Sequence, residues 1–321
     1  MVSFRSRADP MSRTSPCIVE VALNGITAKE ANPNVPRAPA EIAEDALRCV
    51  EAGASIIHNH TEDSLWDPPD RVHAAEPYVE AWTPVLAAHP DALTYPTMGS
   101  GGPGISIEAR WGHHQRLLDS GVLRVGLVDP GSVSLGWLND QGLPMPLDFV
   151  YVNTFADARY MVESCARLKL APSVSIFDPS FLRIALAFHH AGALPPGAMI
   201  KLYFGGERLP FGLPPTRASL DAYLAMLDGT GLHWSVAVLG GDVVGCALAG
   251  HALQRGGHLR VGLEDYAGER KPTNVELVEQ VVDLIERSGR RVATPRETED
   301  LLRIPRRSAP ESSVARQSHE P

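Results

Sequence analysis

The sequence predicts a (β/α)8 barrel, an α/β fold in a single domain. Three observations carry this. Eight short apolar runs alternate with helical patterns along the 321 residues. No shift in composition divides the chain between residues 17 and 304. No Gly-x-Gly-x-x-Gly follows the first apolar run and no Walker A sequence occurs, so a doubly wound open sheet, the alternative, lacks its phosphate-binding signatures.

The elements follow in order. A first strand is expected over 18–23 and a helix over 40–52, where Ile42, Ala46, Leu47 and Val50 recur at helical spacing. The second strand is 54–57 and its helix 78–87. The third strand is 92–97, with one helix over 107–120 that carries His113 and His114 on its surface. The fourth strand is 123–128. An insertion follows, with an extra strand at 149–152 and a helix at 156–168. Strands at 174–177, 198–203, 234–238 and 259–263 complete the eight, with helices at 181–191, 219–227, 243–254 and 274–288.

The chain is 44% apolar and 21% charged, enough apolar residue to bury a large core. Its net charge of -9 argues against nucleic acid or an anionic membrane surface as partner. No apolar run reaches membrane-spanning length. Residues 1–16 are polar and contain arginine, without the apolar stretch of a secretory signal, and read as a disordered tail. Residues 305–321 are rich in Arg, Ser, Pro and Glu and read the same way. Cys17, Cys49, Cys165 and Cys246 are scattered, with no Cys-x-x-Cys, which suits a reducing cytoplasm.

The chemistry concentrates at two strand ends. His58 and His60 stand two apart at the end of the second strand, a spacing that points both imidazoles the same way. Two neutral imidazoles so placed can share a divalent metal, zinc being the commonest. Arg260, Gly262 and Glu264 share the inner face of the eighth strand by the same period of two, and Asp265 follows. In a closed barrel, strands two and eight both neighbour strand one, so their ends lie roughly 10 Å apart. His58, His60 and Glu264 can then converge on one ion, at the face where barrel active sites sit. Three protein ligands leave a coordination position open, as catalytic zinc sites do. The bland reading of these residues is loop histidines and a strand-end salt bridge.

Several motifs together carry a resemblance. They are Asn24-Gly25, Pro33-Asn-Val-Pro36, Ala52-Gly-Ala-Ser-Ile-Ile-His-Asn-His60, Pro96-Thr-Met-Gly-Ser-Gly-Gly102, Asp129-Pro-Gly-Ser132, Arg260-Val-Gly-Leu-Glu-Asp265 and Gly289-Arg-Arg-Val-Ala-Thr-Pro295. The chain resembles the β-keto acid cleavage enzymes over residues 19–303. The resemblance implies a zinc-dependent acyltransferase that takes a β-keto acid and acetyl-CoA and gives acetoacetate and a new acyl-CoA. It implies His58, His60 and Glu264 as Zn2+ ligands and Arg260 and Asp265 as catalytic residues. Thr97, Gly99 and Ser100 fall in a substrate-contacting loop, and a homotetramer is common in the family. An acetyl-CoA enolate adding to the ketone would leave an alkoxide for the metal and Arg260 to stabilise, with Asp265 either taking the proton or orienting Arg260.

Departures bear on the substrate. Ile26 and Thr27 follow Gly25 where an amino-substrate member carries an acid, which favours a non-cationic substituent. Asp129 stands where many members have Asn, with Ser132 as a compensating donor, and Ser173 and Ser175 stand where glutamates are frequent. Lys201, with Gly205, Gly206 and Arg208, is placed either against CoA phosphates or in a solvated loop. The competing readings are a metal-dependent hydrolase on the same barrel and a non-catalytic binding protein.

Overall fold

A computed structural model describes residues 15–61, 74–101 and 104–304. Eight parallel strands form one sheet: β1 Val19–Ala22, β2 Ile56–Asn59, β3 Leu93–Pro96, β4 Val125–Val128, β5 Ala171–Ile176, β6 Met199–Gly205, β7 His233–Leu239 and β8 His258–Val261. Their order is β3-β2-β1-β8-β7-β6-β5-β4. The two ends of that order, β3 and β4, pack against each other, so the sheet curls into a nearly closed barrel. Nearly every strand residue is buried, as expected of parallel strands covered by helices.

Ten helices surround the sheet among the described residues: α1 Pro39–Glu51, α2 Glu76–Ala88, α3 Ile107–Trp111, α4 His113–Asp119, α5 Phe155–Leu168, α6 Pro179–His190, α7 Arg217–Leu227, α8 Leu248–Gln254, α9 Asn274–Arg287 and α10 Pro295–Leu302. Three of them start on reciprocal caps. Thr154, Thr273 and Thr294 accept from the amides of Asp157, Glu276 and Glu297, whose carboxylates reach back to the cap amide. Each such cap contributes about 1 kcal/mol.

Register places the chemistry. β1 pairs with both β2 and β8, aligning Glu20 with Arg260 and Ala22 with His58. The strand-one adjacency expected of a closed barrel is therefore present.

Several expectations are corrected. The single helix over 107–120 is two, broken at Gly112, and His113 and His114 are fully buried rather than on the surface. His113 Nε2 donates to the Thr97 carbonyl at 2.8 Å, and His114 stacks on Trp111 with centroids 3.9 Å apart. The extra strand at 149–152 reduces to one antiparallel bridge, in which Tyr151 and Val133 exchange amide hydrogen bonds. The helix over 243–254 begins only at Leu248, because Ala247 turns to φ 61 just before it. The eighth strand ends at Val261, because Gly262 leaves extended geometry at φ 142. Helix α10 had no counterpart in the sequence reading. Both tails lie mostly outside the described residues; Ser15 and Pro16 are ordered by their carbonyls, which accept from Arg290.

Candidate active site

The site is built where β1, β2 and β8 end. His58 lies next to the end of β2, and its Nδ1 donates to the Tyr95 carbonyl at 3.2 Å. That bond leaves the Nε2 lone pair free to face inward. His60 is held by its backbone. Asn24 accepts from the His60 amide at 2.8 Å and donates to its carbonyl at 3.0 Å. Glu264 comes from the turn after β8. Its amide donates to the Ala22 carbonyl, and its Oε2 lies 3.3 Å from His58 Nε2 and 3.7 Å from His60 Nε2. One ligand atom from each of the three lies within 4.8 Å of the others.

Strand periodicity foresaw this convergence for the wrong reason. Gly262 breaks the strand, and Glu264 is aimed by the turn. The turn fits only because two glycines allow it. A Cβ on Gly262 would fall 1.9 Å from the Ala22 carbonyl oxygen, and one on Gly25 would fall 2.3 Å from Glu264 Cγ.

The donor set suits a divalent cation. Glu264 Oε2 is buried and accepts no well-formed hydrogen bond, although two imidazole nitrogens face it. Burial alone would raise its pKa, but Arg260, His58 and His60 outweigh burial and hold it well below the ordinary carboxylate value. An ionised carboxylate oxygen that faces two imidazole nitrogens at 3.3 and 3.7 Å is a donor set of the kind that binds a divalent metal.

Arg260 organises the acids. Its Nε and Nη2 donate to the two oxygens of Asp265 at 2.8 and 3.0 Å. Nη2 also meets Glu264 Oε1 at 2.8 Å. Nη1 meets Glu20 Oε1 at 2.9 Å and the Tyr95 hydroxyl at 3.0 Å. Of the five N–H groups of a guanidinium, four are hydrogen-bonded within the protein. Burial raises the pKa of Asp265, and Arg260 offsets only part of that.

A cavity of 680 Å³ opens above these groups. His58, His60, Glu264, Asp265, Thr97 and Asp129 all line it. Asp129 accepts from the Tyr151 hydroxyl at 2.6 Å, while its Oδ1 is buried without a partner, and burial raises its pKa. The cavity wall does not include Gly99, Ser100 or Ser132. The Gly99 carbonyl accepts from Arg110, and Ser132 Oγ is spent on the amide and carbonyl of Asn153.

Lys201 does not lie in a solvated loop. It is 1% exposed in β6, where Nζ donates to the Tyr95 hydroxyl at 2.6 Å and lies 3.6 Å from Glu20. Arg208 is exposed and pairs with Asp140. The sequence reading missed Glu20 and Tyr95 altogether. Their signal was present: Glu20 in Val-Glu-Val-Ala and Lys201 in Met-Ile-Lys-Leu-Tyr-Phe-Gly are single charges inside apolar strands. Such charges are rarely buried unpaired.

Comparison with known proteins agrees with this geometry. A family model described as beta-keto acid cleavage enzyme matches residues 16–304. A 3-dehydrocarnitine:acetyl-CoA trimethylamine transferase of Rhizobium meliloti is 27% identical, covering 93% of this chain and 100% of its own length. A 3-keto-5-aminohexanoate cleavage enzyme of Acetoanaerobium sticklandii is 29% identical, covering 89% and 98%. A 3-oxoadipate:acetyl-CoA acetyltransferase of Cupriavidus necator is 29% identical, covering 91% and 96%. Among solved structures, ObcA in complex with oxaloacetate superimposes with a TM-score of 0.67 at 18% identity, over 85% of this chain and 68% of that one, a likeness of fold alone.

Proposed function

The chain belongs to the β-keto acid cleavage enzyme family, and on that premise we propose that it is a zinc-dependent acyltransferase that converts a non-cationic β-keto acid and acetyl-CoA into acetoacetate and a new acyl-CoA. The observation that carries this reading is the convergence of His58, His60 and Glu264 on the wall of the cavity, braced by Arg260 and Asp265.

A divalent ion held by His58, His60 and Glu264 would polarise the ketone and carboxylate oxygens of a β-keto acid and so acidify the C2 carbon between them. Asp265 faces the same cavity and is kept from turning by its paired bonds to Arg260. Its raised pKa suits a carboxylate that takes the C2 proton and later returns it. In this account Asp265 is the base, and Arg260 positions both Asp265 and Glu264.

Carbon accounting reverses the direction of attack expected from the sequence. Acetoacetate contains the acetyl carbonyl joined to C2 of the keto acid. The nucleophile is therefore C2 of the keto acid, and the electrophile is the acetyl thioester. Coenzyme A released from that thioester then attacks the keto acid's ketone carbon, and the C2–C3 bond breaks.

The cavity also supports the choice of substituent. Ile26 lies at the rim and the Thr27 hydroxyl is spent on the Leu263 carbonyl, so neither offers a charge to an ammonium group. Leu127, Leu135, Trp137, Phe149 and Phe177 supply an apolar wall. Arg270 and Lys271 also line the cavity and would repel a cation.

The test is metal analysis of purified protein together with a panel of β-keto acids incubated with acetyl-CoA. One zinc per chain and acetoacetate formed with an apolar keto acid support the proposal. Turnover that ignores acetyl-CoA would favour the hydrolase reading. A preference for ammonium-bearing substrates would contradict the substituent assignment.

A further inference from the structure

Three cationic side chains line the cavity: Lys201, Arg270 and Lys271. Arg270 donates to Gln280 at 3.0 Å, and Lys271 donates to the Ala31 carbonyl. Lys201 differs from both. It comes from the middle of β6, is fully buried, and makes one hydrogen bond with its three N–H groups, to Tyr95, with Glu20 Oε1 beyond hydrogen-bond range at 3.6 Å. Its register partner on β5 is Ser175, which lines the cavity beside Asp129.

Arg260, which the resemblance assigns to the developing negative charge, is already committed to the protein. Four of its N–H groups donate to Asp265, Glu20 and Tyr95, and Nη2 is also ion-paired with Glu264 at 2.8 Å. A donor so committed cannot meet a new oxyanion without breaking a buried bond. The charge that faces the substrate must then come from a neighbour with donors to spare.

We propose that Lys201 is a catalytic residue that donates a hydrogen bond to the acetyl thioester oxygen of acetyl-CoA as that oxygen becomes an oxyanion. This rests on the acyltransfer reading above. A metal at His58, His60 and Glu264 accounts for the two keto acid oxygens, and Asp265 for the C2 proton. The acetyl oxygen is the remaining atom that gains charge.

The step balances. Asp265 takes a proton from C2, and the C–H pair becomes the enolate. C2 attacks the acetyl carbonyl carbon, a C–C bond forms, and the carbonyl π pair moves to oxygen, where Lys201 receives it. The pair returns, the C–S bond breaks, and coenzyme A leaves as thiolate. The thiolate adds to the ketone carbon. The C2–C3 bond then breaks with its pair on C2, which recovers the proton from Asp265.

The experiment separates the two halves of the reaction. Exchange of the C2 protons in D2O, followed by NMR with keto acid alone, reads enolate formation. Acetoacetate release with acetyl-CoA reads acyl transfer. Lys201→Met is expected to keep enzyme-catalysed C2 exchange within about threefold of the parent while acetoacetate release falls about 10²–10³-fold, the usual loss for one oxyanion donor. Lys201→Gln, which keeps an N–H donor, is expected to recover part of the transfer rate, and it decides the matter if the Met variant does not fold. Transfer at the parent rate in either variant overturns the proposal. An equal loss of exchange and transfer, or a weakened keto acid Kd, overturns it too, since Lys201 would then hold the keto acid or the base. If the parent enzyme exchanges C2 protons but transfers nothing to acetyl-CoA, the acyltransfer reading itself fails.

Discussion

At the scale of single residues, the site depends on groups outside the proposed metal ligands. Asn24 holds the His60 backbone from both sides. Asn24→Ala should therefore lower zinc affinity about 10–100-fold with the three ligands intact, as loss of ligand-orienting partners does; calorimetric zinc titration reads this, and an unchanged Kd would deny Asn24 that role. Arg260 sits among three carboxylates, Glu20, Glu264 and Asp265. A lysine there cannot span them, because its three donors radiate from one point. Arg260→Lys should lose activity and destabilise the fold by about 3–5 kcal/mol, the range for breaking a buried ion pair, measured by urea unfolding. A variant of unchanged midpoint would mean the acids tolerate one another without the guanidinium. The residues most legible in the sequence were the histidine pair and the Arg-Val-Gly-Leu-Glu-Asp run, because metal ligands leave a local spacing. Glu20, Tyr95 and Lys201 leave none. They meet across β1, β3 and β6, and strand order in space, not spacing in the chain, brings them together.

At the scale of elements, the end of β8 is the most constrained segment. Gly262 lies at φ 142 against the Ala22 carbonyl. Gly262→Ala should displace the turn that carries Glu264, so zinc affinity and stability fall together; an alanine variant that binds zinc normally would show that the turn is free to adjust. The start of β8 carries a different device. His258 is buried, and its Nδ1 accepts from the Ile18 amide at 3.0 Å, so Nε2 carries the proton and faces His233 Nδ1 at 3.2 Å. Burial first, then His233 and Arg290, pull the His258 pKa well below its ordinary value. The folded protein keeps this ring neutral, whereas the unfolded chain protonates it below about pH 6.5. The stability it supports is thus complete above that pH and is lost as pH falls, by at most about 1.4 kcal/mol per pH unit. Unfolding free energies at pH 8 and pH 5 should differ less in His258→Gln than in the parent, and equal pH slopes would contradict this. Strand and helix positions were largely readable from apolar periodicity. Two errors fell where a positive-φ residue overrides it, Ala247 before α8 and Gly262 after β8, whereas the break at Gly112 comes at right-handed helical angles.

At the scale of the whole molecule, β1 pairs with β2 on one side and β8 on the other, and the sheet curls nearly closed as its end strands β3 and β4 pack together. That closure assembles a ligand set from residues about two hundred positions apart, His60 and Glu264. If the set is a metal site, zinc binds the folded chain and not the unfolded one. Zinc at a hundredfold excess over its Kd should then stabilise the protein by about 2.7 kcal/mol, seen as a rise in Tm, and Glu264→Gln should abolish most of that rise. No helix among the described residues is long and apolar enough to cross a membrane. The central claim is that C2 of a metal-bound keto acid is joined to the acetyl carbonyl. Acetyl-CoA labelled with ¹³C at its carbonyl carbon tests it most directly, using metal-stripped protein and the same protein reloaded with zinc. The account predicts that the label appears at the ketone carbon of acetoacetate, with the reloaded protein alone. Label found in the new acyl-CoA or in free acetate, or product formed equally without metal, would contradict it.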